Sequence, residues 1–133
     1  MSPRVQGLGG VFLYAEDPVA LSAWYTRHFG LGFTEWEPGA CFGMEFFYTD
    51  PDGSKAHTVF SIMKAKEPLA EGRPECVVNW RVTDLEAFCA QLEAEGIVID
   101  KREDYDYGRF AWIRDLEGRR VELYQPLKEP GAV

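Results

Sequence analysis

The chain is 133 residues long with 46% hydrophobic and 14% aromatic residues, enough apolar mass for one cored domain of residues 1–133 and too much for a disordered chain. Its net charge of -8 excludes a nucleic-acid binder, because a phosphate backbone has to be met by clustered Lys and Arg. No run of about 18 apolar residues occurs and Met-Ser-Pro-Arg-Val-Gln is no signal-peptide start, so a cytoplasmic protein without membrane contact is expected; the scattered Cys41, Cys76 and Cys89 then read as reduced thiols.

A first strand is predicted over residues 7–15, where Val11, Leu13 and Ala15 alternate with Gly10, Phe12 and Tyr14. Asp17 follows as a helix cap with Pro18 at the first helical position, since its carboxylate can accept an orphan backbone N–H and Pro has none to lose. Leu21, Trp24, Tyr25 and His28 recur at i, i+3, i+4 and i+7 on one face, and Gly30 ends the helix. Strands are predicted over 31–37, 41–49 and 55–63, punctuated by Glu37-Pro38-Gly39 and Pro51-Asp52-Gly53. Residues 65–74, rich in charge, Pro and Gly, read as a linker.

The pattern then repeats. A strand over 76–83 leads to an Asp84-capped helix with Leu85, Phe88, Cys89 and Leu92 on one face and Gly96 at its end. Strands over 97–101, 107–114 and 119–125 follow, and residues 127–133 form a polar tail. Gly10 to Asp17 corresponds to Val77 to Asp84, and the turn Asp50-Pro51-Asp52-Gly53 to Asp115-Leu116-Glu117-Gly118. Such a period marks two copies of one unit. The expectation is an α+β fold of two βαβββ repeats, residues 7–64 and 75–126.

Side chains alternate across a strand, so one parity packs under the helix and the other faces away. Val11, Leu13 and Ala15 match Val78, Trp80 and Val82 as helix-facing sets, which turns Phe12, Tyr14, Asn79 and Arg81 to the other face. In the closing strands Val121, Leu123, Phe60 and Ile62 suit the helix side, leaving Arg120, Glu122, Tyr124, His57, Val59 and Ser61 on the open one. Counted from the turn glycines, His57 follows Gly53 and Glu122 follows Gly118 by the same four residues, so the count makes them equivalent. Phe110 and Trp112 share one parity and Tyr107 has the other. A carboxylate among aromatic residues is costly as a bare charge, and Glu122 is expected to pair with Arg81 or Arg120 or to titrate high.

These elements resemble the vicinal oxygen chelate superfamily, which includes glyoxalase I, bleomycin-resistance proteins, extradiol dioxygenases and fosfomycin-resistance enzymes. The resemblance rests on residues 17–32 with Trp24-Tyr25 and Phe29-Gly30-Leu31-Gly32, on residues 81–86, and on Tyr107 to Gly118 continuing through Val121-Glu122-Leu123-Tyr124-Gln125-Pro126. It implies a half-open, barrel-like mixed sheet and edge-to-edge homodimers. It also implies one divalent ion (Zn, Ni, Mn or Fe) held by His, Gln or Glu from the first and last strands of each half, here Gly10, His57, Val77 and Glu122, of which Gly10 and Val77 carry no ligand atom.

Two readings of function follow. In one the protein is a metal-dependent lyase or isomerase of the lactoylglutathione-lyase kind, in which the ion chelates neighbouring substrate oxygens and Glu122 is the catalytic ligand or base. In the other it is a metal-free protein that sequesters a drug or metabolite. Phe12, Tyr14, Asn79, Arg81, Phe110, Trp112 and Tyr124 are the candidate ligand-binding residues in either case, with His57 and Glu122 as metal ligands in the first. An accessory module whose interface matters more than its cavity is a third possibility.

Overall fold

The computed structural model describes Leu8 and residues 10–49, 51–66 and 77–128. Asp50, Cys76, most of the predicted linker and the end of the predicted tail lie outside the described residues. The chain divides into two compact units, Met1–Ala70 and Glu71–Val133, each with one βαβββ repeat.

In the first unit, β1 (Gly10–Ala15), α1 (Pro18–Phe29), β2 (Thr34–Glu37), β3 (Cys41–Thr49) and β4 (Lys55–Lys64) follow in order. The sheet runs β1-β4-β3-β2, with β1 parallel to β4 and the other pairs antiparallel. Asp17 caps α1 by accepting from the Ala20 N–H at 3.0 Å, and Gly30 ends it at φ 70°, a left-handed conformation that glycine adopts without steric cost. The helical face foreseen from the spacing is the buried one. Leu21 and Tyr25 pack on the Val11, Leu13, Phe60 and Ile62 side of the sheet, with the rings of Tyr25 and Phe60 edge to face at 5.7 Å; each such side chain contributes about 1.5–3 kcal/mol.

The second unit repeats this with β5 (Val78–Arg81), α2 (Leu85–Ala94), β6 (Lys101–Asp104), β7 (Gly108–Arg114) and β8 (Arg120–Pro126), in sheet order β5-β8-β7-β6. Asp84 caps α2 through the Ala87 N–H at 3.0 Å. The side chain of Gln125 accepts from the Leu85 N–H at 2.9 Å, which ties the end of β8 to the start of the helix. Leu85, Cys89 and Leu92 are buried against Ala111, Ile113, Val121 and Leu123, and this burial pushes the Cys89 thiol up. Cys41 and Cys89 are both free thiols.

Two predicted strands are displaced. β2 begins only at Thr34, because Leu31 is buried as part of the core rather than extended on the edge. The strand foreseen over 97–101 forms instead over Lys101–Asp104. The β-branched Ile97-Val98-Ile99 is spent on the connection leaving α2, where the Ile97 N–H donates to the Leu92 carbonyl at 2.9 Å. The charged Lys-Arg-Glu-Asp takes the sheet edge, a composition that discourages pairing with another chain. No described helix is long and apolar enough to cross a membrane.

The two units differ most in their hairpins. Phe12 and Asn79 each precede their helix-capping aspartate by five residues, and in the parallel ladders Phe12 pairs with Ser61 while Asn79 pairs with Glu122. Ser61 in turn faces Gly43, and Glu122 faces Trp112. On this register Glu45–Val59 matches Arg114–Arg120. The second hairpin turns there, whereas the first continues for four further pairs, Phe46–Thr58 to Thr49–Lys55.

Candidate functional site

The open face of the second sheet carries two rows set by the register. Asn79, Glu122, Trp112 and Lys101 lie side by side across β5, β8, β7 and β6, and Arg81, Tyr124, Phe110 and Glu103 form the adjacent row. One oxygen of the Glu122 carboxylate accepts from the Asn79 side-chain amide at 2.7 Å and the other from the Trp112 indole N–H at 3.2 Å. Two neutral donors on adjacent strands therefore fix this half-buried carboxylate in place.

The expected arginine partner is absent: among the described residues Glu122 forms no ion pair. Arg120 lies instead with its guanidinium 5.5 Å from the centre of the Trp112 ring, and the Lys101 ammonium is 5.6 Å from it. Both distances are within the range of cation–π attraction. Arg81 is exposed and makes no hydrogen bond or ion pair among the described residues.

Next to the carboxylate the face is aromatic. Phe110 stacks with Trp112 at 6.0 Å and with Tyr124 at 4.9 Å. The Tyr124 ring lies over Gly108, where an added Cβ would come within 2.5 Å of it, so the glycine is required for the stack. Tyr105 and Tyr107 stack on each other at 5.4 Å, and both meet Phe110 edge-on. This corrects the assignment of Tyr107 to the opposite face. Parity does not govern Tyr107, which precedes β7 and sits in the turn where Tyr105 and Gly108 exchange backbone hydrogen bonds. Lys101 and the Tyr105 hydroxyl both bond to the Glu103 carboxylate; Lys101 first and Tyr105 second hold that carboxyl below its usual range.

In the first unit Phe12 and Tyr14 are exposed on the open face of their own sheet. His57 is also exposed and touches the Phe47 ring, centre to centre 6.1 Å. The ladder corrects the equivalence drawn by counting from the turns: the position matching Glu122 is Ser61, and His57 lies four residues away in the hairpin extension. Ser61 is buried with its hydroxyl 3.4 Å from the Cys41 sulfur. The Trp36 ring covers Gly43, where a Cβ would lie 2.1 Å from it. The four family-implied metal positions thus become Gly10, Ser61, Val77 and Glu122, with one good ligand among them. No group of three or more His, Cys, Asp or Glu is gathered to hold a metal among the described residues, and these residues do not fit the expected ion.

No protein-family model and no curated protein sequence matches the chain. Solved structures do. The chain is similar to lactoylglutathione lyase from Agrobacterium tumefaciens (TM-score 0.65, 19% identity, 92% of this chain and 96% of that one). It is also similar to a glyoxalase/bleomycin resistance protein/dioxygenase from Nocardioides (TM-score 0.69, 17% identity, 99% and 92%). The chain has the vicinal oxygen chelate fold. A third structure with this fold is TnmS3, an antibiotic binding protein from Streptomyces sp. CB03234 (TM-score 0.68, 19% identity, 94% and 99%). At these identities the likeness is one of fold, and chemistry has to be argued from the residues themselves.

Proposed function

We propose that this protein is a metal-independent small-molecule-binding protein that takes a flat, aromatic ligand with a hydrogen-bond donor or positive charge on the open face of its second sheet. The observation carrying this reading is the Glu122 carboxylate, held by Asn79 and Trp112 beside the stacked rings of Phe110 and Tyr124. Rings supply broad, tolerant stacking area, and a fixed acceptor with no ion-pair partner among the described residues selects a donor or cation. Asn79 and Trp112 fill two of the about four acceptor sites of the carboxylate, which leaves sites for a ligand donor. That a protein of this fold is an antibiotic binder supports sequestration, and so does the poor ligand set at the four positions that the family resemblance implies for an ion.

The test is titration of the full chain with planar cationic aromatics, such as acridinium or phenanthridinium dyes, followed by Trp fluorescence and calorimetry, beside Glu122→Gln and Phe110→Ala. Saturable one-to-one binding weakened at least about tenfold in each variant, about 1.4 kcal/mol, is the expected result. Stoichiometric binding of Mn, Fe, Ni or Zn that disappears in Glu122→Ala would replace this reading with the metal-dependent one.

A further inference from the structure

The second unit also has a cavity on the helix side of its sheet, turned away from Glu122. Arg102 pairs with Ala111 and Asp104 with Arg109 across β6 and β7, and Ala111 is buried under α2, so alternation puts Arg102, Asp104 and Arg109 on that side. Between them and the start of α2 lies a cavity of about 300 Å³, with the buried Leu85 and Cys89 as its apolar lining and the exposed Glu86 beside them. The first unit carries more bulk in the corresponding layer. Counted from the helix caps, its Tyr25 stands where the second unit has Leu92, and in the ladders its Phe42, opposite Ile62, stands where the second has Ala111, opposite Leu123. The volume is at the small end of the ~300–1,000 Å³ that small-molecule sites occupy.

The charges around this cavity are incompletely paired. Arg109 and Asp104 face each other next to the Tyr105–Gly108 pair, which exchanges backbone hydrogen bonds, so theirs is the closer, non-hydrogen-bonded kind of cross-strand pair. Even so, neither forms an ion pair among the described residues, and nor does Glu86. Arg102 is engaged, its guanidinium 2.9 Å from the Glu93 carboxylate. The cavity therefore presents one uncommitted guanidinium, two uncommitted carboxylates and an apolar lining.

We infer that it is a second binding site, for a small zwitterion of the α-amino-acid type with an aliphatic side chain. The Arg109 fork takes a carboxylate bidentately, Asp104 and Glu86 accept an ammonium, and Leu85 and Cys89 receive the aliphatic part. Opposite charges on directly facing strand positions suit a ligand that bears both of its charges on one carbon. A purely anionic ligand would meet two carboxylates in a chain of net charge -8, and a purely cationic one would meet the charge of Arg109; a molecule carrying both satisfies each. This site stands independently of the open-face reading, with which it shares only Phe110 among its lining residues.

Proton–nitrogen NMR titration of the full chain with leucine up to about 20 mM, a range that captures a weak site, tests it. Leucine should give saturable shifts at the backbone amides of residues 85–89, 102–104 and 109 and leave those of Asn79 and Glu122 unmoved. Isocaproate and isoamylamine, which are leucine without its ammonium and without its carboxylate, should bind at least about tenfold more weakly. Arg109→Gln should weaken leucine by at least the same factor with the rest of the spectrum unchanged, and the double variant Glu86→Gln with Asp104→Asn should bind isocaproate more tightly than wild type does. No saturable leucine binding, shifts centred on Glu122 instead, a singly charged analogue that binds as tightly as leucine, or leucine binding undiminished in Arg109→Gln overturns the inference.

Discussion

Replacing Asn79 by Asp keeps the size and shape of the side chain but exchanges an amide donor for a second carboxylate. The Asn79 amide nitrogen lies 2.7 Å from a Glu122 oxygen, so Asp places a second carboxylate oxygen at that distance, and two carboxylates sharing a site cannot both ionise. The pair then retains one proton at a pH where an unfolded chain would release it, as a property of the pair rather than of either residue. One unit of upward shift corresponds to about 1.4 kcal/mol. Asn79 is exposed and Glu122 half-buried, so solvent screening holds the effect to about 1–2 kcal/mol. The sign follows from proton uptake. The folded form binds more protons than the unfolded one between the ordinary carboxylate pKa and the raised one, so stability falls as pH rises through that window and is level beyond it. Asn79→Ala loses a donor to a carboxylate, about 1 kcal/mol at this exposure, without the pH dependence. Urea denaturation of wild type and both variants from pH 4.5 to 7.5 separates the two effects. The penalty of Asn79→Asp should grow across the range while that of Asn79→Ala stays flat; parallel pH profiles for the two would refute the direct Asn79–Glu122 contact and the site built on it.

Gly108→Ala should destabilise by about 1–3 kcal/mol through overpacking, because its Cβ would lie 2.5 Å from the Tyr124 ring, and it should weaken aromatic ligands as Tyr124 leaves Phe110. In a Tyr124→Ala background most of that stability penalty should vanish in urea melts, and simple additivity of the two would argue against the contact. Tyr105→Phe should raise the titration midpoint of the exposed Glu103, read by carboxyl-carbon NMR, since the tyrosine hydroxyl is one of the two bonds that lower it. Stabilisation by such a lowered carboxyl is present above its unfolded pKa and is lost as pH falls through the folded one, so the variant loses it at higher pH than wild type; an unmoved midpoint would show that Lys101 alone sets the Glu103 titration.

Much of the fold is legible in the sequence because several local signals agree. Asp17 with Pro18 and Asp84 mark helix starts, Gly30 and Gly96 mark the ends, and the parity of Phe60, Ile62, Val121 and Leu123 by itself assigns the buried face of each sheet. The errors fall where local and tertiary preferences compete. Ile97-Val98-Ile99 has the composition of a strand, but the chain needs those residues to travel from α2 to the far edge of the sheet, and the strand forms from charged residues beyond them. Tyr107 defeats a parity argument for a related reason: alternation holds only inside a strand, and β7 begins one residue later.

The site is only partly legible for a deeper reason. Counting from a turn measures position along a hairpin, whereas ligand-holding positions are defined by position across the sheet. The two measures agree only when the hairpins have equal length. Here they differ by four pairs, which moves His57 out of the row that contains Glu122's counterpart and brings Ser61 into it. The helix caps give the better origin, since Phe12 and Asn79 lie at the same distance from Asp17 and Asp84 and each pairs directly with the residue in question. The same extension that misleads the count carries three exposed aromatics on an edge that no described strand covers. The two halves have therefore diverged in opposite directions from one plan. The second keeps a short hairpin and places Glu122, Trp112, Phe110 and Tyr124 on its open face, while the first has Ser61 and Gly43 at the matching places and carries exposed aromatic residues on a longer hairpin.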